Sequence, residues 1–317
     1  MDFLTKTTAI FLTIILVPFS ALANNKLTVL LDWFVNPDHA PLVVALQSGR
    51  FKDAGLNVEL IAPSDPNLPP KLVAAGKGDI AVSYQPQLHI QADQGLPLVR
   101  IGTLISSPLN SLVVLRDGKI KSIADLKGKK IGYSIGGFED ALLKVMLNSH
   151  NVELSEVKLI NVNFALSPSL ISEKVDAVIG AFRNFELNQM DIVKKPGLAF
   201  YPEEHGVPPY DELILVSHKD SLSDPRLRKF LDAIESATLF LINHPKKSWD
   251  LFISFDNKLD DELNRRAWRD TLARFALRPA ALDTTRYKRF ASFLKKQNLI
   301  RKTPAISDYA VQVLGLH

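Results

Sequence analysis

Short apolar runs recur along this chain, each followed by a segment with helical periodicity. That alternation confines it to an α/β fold with a largely parallel sheet. Residues 27–31, 57–62 and 80–84 read as strands, with helices at 39–48, closed by Gly49, and at 68–75. A second series starts after Ser106-Ser107-Pro108. It has strands at 112–115, 130–133, 157–161 and 177–180, a short helical turn at 123–126, and a helix at 138–148 behind Gly136-Gly137. Residues 213–216 read as a return strand. From Ser223 onward the pattern is helical, with Asp224 and Pro225 as start signals before the stripe Leu227, Phe230, Leu231, Ile234, Ala237.

Two series with a return strand predict two α/β lobes with mixed sheets. Residues 24–107 and 217–317 are expected to form a discontinuous first lobe, and 108–216 the second. A ligand cleft then lies between them, where strand carboxyl ends and domain interfaces collect small molecules.

Residues 1–23 are expected to be a cleavable signal peptide. Lys6 gives a positive start, residues 9–19 are apolar, and Ala21-Leu22-Ala23 has the A-x-A cleavage form. The apolar run is shorter than a bilayer span requires. The sequence contains no cysteine, which excludes a lipoprotein anchor, thiolate metal sites and cysteine nucleophiles. A protein of this size needs no disulfide staples. The expected location is a Gram-negative periplasm, without a lipid tether.

With 46% hydrophobic and 23% charged residues the composition is that of an ordinary globular protein. The net charge of +4 survives signal removal, because Asp2 and Lys6 leave together. Basic residues are dispersed, densest at 288–302 on a predicted helix surface, so nucleic acid is not expected as a partner. Ser83, Ser106 and Ser134 lack a glycine-flanked nucleophile elbow, no His-Glu-x-x-His motif occurs, and His205 and His218 stand alone. Binding is therefore the first expectation and catalysis the second.

The segment Leu31-Asp32-Trp33-Phe34-Val35-Asn36-Pro37-Asp38-His39 follows a strand and precedes a helix. It puts aromatic surface, two carboxylates, an amide and an imidazole on one tight loop. Those groups suit a flat, polar heteroaromatic ligand. Asp38 is expected to cap the helix.

With Gly49-Arg50-Phe51, Gly55-Leu56, Gly78-Asp79-Ile80-Ala81 and Ser83-Tyr84, this segment resembles the thiamine-pyrimidine binding family. Pro108-Leu109-Asn110-Ser111, the run 126–133 and Gly180-Ala181-Phe182-Arg183-Asn184-Phe185-Glu186 extend the likeness to about Pro245. The Gly-Arg-Phe and Leu-Lys-Gly-Lys pieces occur across type II periplasmic binding proteins and indicate fold alone. The Asp-Trp with Asn-Pro-Asp-His, and the Asn-x-Glu after Gly180, are narrower. They imply a solute-binding subunit that delivers formylaminopyrimidine or hydroxymethylpyrimidine, without a cofactor, to an ABC permease with its ATPase. It is expected to act as a monomer.

On that resemblance Trp33 stacks on the ring, and Tyr84 or Phe182 closes the other face. Glu186 accepts from the exocyclic amine, in a bidentate pair if the adjacent ring nitrogen is protonated. Asn184 and Asn36 complete the edge reading. Asp32 either reads the ligand or caps a turn. His39 either touches the ligand or opens the helix. Ser134, Gly136 and Gly137 form a strand-to-helix turn whose amides suit a phosphate, carboxylate or formyl oxygen, or serve only as a tight turn.

Two other readings share this architecture. The fungal pyrimidine synthases of the same family use a lysine-held pyridoxal phosphate and a histidine of their own. Here the matching positions are Ser83 and Gln87, with His89 nearby and no cysteine for their iron segment. A binding protein for another small solute, such as a sulfonate, would favour serine, arginine and amide donors over a carboxylate.

Overall fold

The structure is a computed structural model that describes residues 25–313. The expected signal at 1–23 lies outside them. The first part of the chain runs β1 (Lys26–Leu30), α1 (Ala40–Gln47), α2 (Arg50–Asp53), β2 (Asn57–Ile61), α3 (Pro69–Ala74), β3 (Ile80–Ser83), α4 (Gln85–Asp93) and β4 (Leu98–Ile105). The second part adds β5 (Asn110–Leu115), β6 (Lys130–Tyr133), α5 (Glu139–Asn148), β7 (Lys158–Asn161), α6 (Leu166–Ile171), β8 (Ala177–Phe182), α7 (Glu186–Ile192) and β9 (Gly197–Phe200). Then come β10 (Leu213–His218), α8 (Pro225–Asn243), α9 (Pro245–Ile253), α10 (Glu262–Thr271) and α11 (Thr284–Lys296).

The strands form two five-stranded sheets, in the orders β2-β1-β3-β10-β4 and β7-β6-β8-β5-β9. In the first, β1 lies parallel to β2 and β3, while β10 is antiparallel to β3 and β4. In the second, β6 lies parallel to β7 and β8, while β5 is antiparallel to β8 and β9. Both sheets thus share one topology, each holding one strand that arrives against the rest. For the first sheet that strand is β10, which returns after the whole second sheet has been built. Residues 213–216, which the sequence places at the end of the second lobe, therefore belong to the first sheet.

The apolar face of α8 behaves as its stripe demands. Leu227, Phe230, Leu231, Ile234 and Ala237 are buried, and the Asp224 side chain accepts from the Arg226 amide at the helix start. On α11 the basic residues Lys288, Arg289, Lys295 and Lys296 face solvent while Tyr287, Phe290 and Leu294 face the core.

Several elements escape the sequence pattern, among them α4, β4 and β9. Helix α4 reads Gln-Pro-Gln-Leu-His-Ile-Gln-Ala-Asp, yet Gln85, Gln87, His89, Gln91 and Asp93 are all buried. Their partners are internal: Gln85 accepts from the Asp211 amide, Ser83 donates to Gln87, and Asp93 accepts from the Lys302 amide. Strand β4 is fully buried with Arg100 at its centre. That guanidinium is held by the carbonyls of Pro279, Ala280, Ala281 and Val311, which offsets the cost of burying it. Strand β9 is a short edge strand after Lys194-Lys195-Pro196.

Residues 106–109 and 201–212 connect the two sheets. Glu212, fully buried, ties the connections together by accepting from the amides of Leu109 (2.5 Å) and Asn110 (2.9 Å). Burial lifts its carboxyl to about 7, against the pull of those two amides. Glu212→Ala leaves both amides without an acceptor and is expected to cost about 3 kcal/mol. A shift of the urea midpoint at unchanged slope measures it, and a loss under about 0.5 kcal/mol would contradict this role for the residue.

Candidate functional site

Parallel strands of both sheets end toward one cleft, and each delivers a side chain there. The segment after β1 brings Asp32, Trp33, Asn36 and Asp38, and β3 brings Tyr84. The turn after β6 brings Ile135 and Glu139, and β8 with its exit brings Gly180, Phe182, Phe185 and Glu186. With Leu166 they line one narrow cavity of about 30 Å³. Its place at strand carboxyl ends is where open α/β sheets take ligands.

The lobes touch across this cleft on two sides. On one, Asn67, from the loop between β2 and α3, donates to the Ser134 carbonyl (3.1 Å) and accepts from the Gly136 amide (3.0 Å). On the other, Asn184 donates to Asp38 Oδ1 (2.6 Å) and Thr271 Oγ1 (2.7 Å), and Asn188 donates to Asp270 (2.7 Å). Aromatic rings add to the closure. Trp33 meets Phe164 edge-on at 4.7 Å, and the exposed Phe34 lies 4.5 Å from the same ring.

Asp32 is buried and holds both of its neighbours. Its Oδ1 bonds His39 Nε2 at 2.8 Å and its Oδ2 accepts from the Tyr84 hydroxyl at 2.7 Å. His39 Nδ1 accepts from the Asn36 amide (3.3 Å), so Nε2 carries the proton toward Asp32. Tyr84 is stacked on Phe138, with centroids 4.8 Å apart at 20°, so one of its faces is already covered. Burial, then Asp32, pushes its hydroxyl well above the usual phenol range.

The remaining acids are more isolated. Glu186 opens α7, where one oxygen accepts from the Phe182 amide at 2.7 Å; burial raises its carboxyl to about 8. Glu139 accepts from the Ser134 amide at 2.8 Å, and burial raises it to about 8 as well. Asp38 is raised to about 6, again by burial, with His39 opposing. Its Oδ2 is buried without a protein partner. Such an orphan acceptor is costly unless something donates to it. No lysine or arginine among the described residues borders the cavity.

Of the residues singled out by sequence, Asp32, Trp33, Asn36, Tyr84, Phe182 and Glu186 share this cavity. The others do not line it. His39 sits behind Asp32 with no exposed surface. Asn184 is consumed by the contact between lobes, because its amide lies between Asp38 and Thr271. Ser134, Gly136 and Gly137 are also spoken for. Their amides donate to Glu139, Asn67 and Asp140 (2.6 Å for the last), and the Ser134 hydroxyl donates to the Asn163 carbonyl. The turn therefore offers no free set of amides.

Asn36 lines the cavity, but its amide group is used locally, accepting from Asp38 and donating to the Phe34 carbonyl. It is Asn36, not Asp38, that caps the following turn, since Pro37 and Asp38 already belong to the 3-10 turn Pro37–His39. Sequence reasoning missed Asp38, Ile135, Glu139, Leu166, Gly180 and Phe185 as cavity residues. His205, expected to stand alone, bonds His150 at 3.0 Å.

The family model described as NMT1/THI5 like matches residues 36–248. The chain belongs to the NMT1/THI5-like family. Within that family it is 54% identical to a Haemophilus influenzae protein provisionally named for thiamine biosynthesis, over 92% of this chain and 93% of the relative. It is 30% identical to the formylaminopyrimidine-binding protein of Halalkalibacterium halodurans, over 79% and 77%. The 4-amino-5-hydroxymethyl-2-methylpyrimidine phosphate synthase of Schizosaccharomyces pombe is more distant, at 24% over 80% and 77%. Among solved structures, the alkanesulfonate-binding protein of Xanthomonas axonopodis pv. citri, bound to MOPS, superposes with a TM-score of 0.71. It covers 90% of this chain and 98% of the other at 14% identity. The NMT1/THI5-like chain thus has the two-lobed type II periplasmic binding protein fold.

Proposed function

We propose that this chain is a periplasmic solute-binding protein of an ABC importer. It captures a thiamine pyrimidine precursor, of the formylaminopyrimidine or hydroxymethylpyrimidine type, and hands it to the permease. The observation that carries this reading is the lining of the cavity: four carboxyl groups, four aromatic rings and no lysine or arginine. A ligand at home there is flat and presents N–H donors along its edge. An aminopyrimidine does both, through its π face and its exocyclic amine. The formylaminopyrimidine-binding relative supports the same choice.

In this reading Trp33 stacks on the ring, while Glu186 and the unpartnered oxygen of Asp38 accept from the edge. The contacts between lobes close over the ligand, and the closed face is what a permease recognises. A sulfonate would find no cation in the lining to meet it, which is unfavourable. The synthase reading lacks its chemistry here. Ser83 offers no amine for a Schiff base, and its hydroxyl is bonded to Gln87 (2.9 Å), the position where the resemblance expects a histidine.

Calorimetry with 4-amino-5-hydroxymethyl-2-methylpyrimidine, its formylamino counterpart and methanesulfonate tests the proposal. Binding of either pyrimidine without a sulfonate response is expected, and the reverse pattern overturns it. Trp33→Ala is expected to weaken the pyrimidine by about tenfold to a hundredfold, the scale of one lost stacking surface.

A further inference from the structure

We propose that Glu139 sets the substrate class of the cavity: its carboxyl group fills the turn where a ligand phosphate would otherwise sit, so the site accepts uncharged pyrimidines and refuses their phosphomonoesters. This rests on the pyrimidine reading above and narrows it.

A turn between a strand and a helix start, with two glycines, has the form that holds phosphate through its amides. In this chain the turn after β6 has that form, but its donors already point at carboxyl and amide oxygens of the protein. Glu139 takes the amides of Ser134 and Ile135, Asp140 takes that of Gly137, and Asn67 takes that of Gly136 from across the cleft. The Glu139 carboxyl lies directly against the backbone of Gly180. A Cβ built at Gly180 would stand 2.4 Å from one carboxyl oxygen and 2.6 Å from the carboxyl carbon. Gly180 also adopts φ +98, a conformation in which side chains are strained. Strand β8 thus leaves room at this point for the acid and for nothing larger.

The charge around it argues the same way. Asp32, Asp38 and Glu186 share the cavity with Glu139, and no lysine or arginine among the described residues lines it. A phosphate there would meet occupied donors and find no cation to offset its charge. A hydroxymethyl or formylamino group meets neither obstacle. Glu139 is accordingly a specificity-determining residue.

Calorimetry on the full chain with 4-amino-5-hydroxymethyl-2-methylpyrimidine and with its phosphomonoester tests this. The wild type is expected to bind the phosphomonoester at least about a hundredfold more weakly than the alcohol. Glu139→Ser, which empties the turn, is expected to shrink that ratio about tenfold or more by strengthening the phosphomonoester, whereas Glu139→Gln, which still fills it, is expected to keep the ratio near that of the wild type. Equal binding of the two ligands to the wild type overturns the proposal, as does an unchanged ratio in a Glu139→Ser variant whose melting curve shows it folded. Should that variant not fold, the wild-type ratio decides alone.

If neither pyrimidine binds the wild type, the pyrimidine reading fails, and Glu139 is judged by inorganic phosphate instead. Broadening of its phosphorus resonance by Glu139→Ser but not by wild type upholds the plug. Broadening by the wild type, or by neither protein, removes it.

Discussion

Glu186→Gln is expected to melt at a higher temperature than the wild type at pH 8 and to bind an aminopyrimidine at least about a hundredfold more weakly. Both halves follow from the same burial. The carboxyl is lifted to about 8 because ionising it in the cavity strips it of water, so a neutral amide of equal size removes that cost. One oxygen still has to accept from the Phe182 amide. The glutamine oxygen takes that place, which turns the amide nitrogen toward the ligand. Two donors then face each other where the wild type offers an acceptor, and a desolvated hydrogen bond is lost. A variant that gains stability while losing its ligand marks a group kept for function. Calorimetry and thermal melting read the two effects separately. Lower stability with unchanged affinity would mean that Glu186 serves only as the cap of its turn.

The second large effect is on stability against pH. Glu139 and Glu186 stand at about 8, Glu212 at about 7 and Asp38 at about 6, all raised chiefly by burial. The folded chain therefore holds protons that the unfolded chain releases near pH 4 to 4.5. Stability from these groups is full below that range, falls as pH rises toward 8, and levels off beyond it. Asp65, Asp93, Asp125, Asp224, Glu156 and Glu262 are shifted downward, and their contribution is lost as pH falls below about 4. The optimum is expected near pH 5, with a decline on the order of 5 kcal/mol by pH 8. Urea midpoints at pH 5, 6.5 and 8 measure it, and Glu139→Gln or Glu186→Gln is expected to flatten the decline. A profile that rises between pH 5 and 8 contradicts the protonated cavity.

Much of the architecture is legible from local periodicity. The strands that begin each lobe, the helices behind them and the stripe on α8 bury what their patterns say they bury. The loop that carries Trp33 also stands out, because an aromatic ring between a strand and a capped turn has few other uses. What stays hidden depends on partners far away in the chain. Helix α4 is polar in sequence and buried in space, since Asp211 and Lys302 come to meet its side chains. Arg100 breaks the apolar run of β4 until the carbonyls at 279–281 are seen around it. In the site, Asn184 carries the right donors for a ligand but spends them on Asp38 and Thr271. Glu139 looks like any acid in the first turn of a helix, and only the bare backbone of Gly180 opposite shows its place.

The order in which the sheets are completed bears on biogenesis. The second sheet is built from one continuous stretch, whereas the first waits for β10 and for the carbonyls of residues 279–281 and 311 that enclose Arg100. A growing chain therefore cannot finish its first sheet until residues 213–218, 279–281 and 311 have been made, well after the second sheet has all its strands.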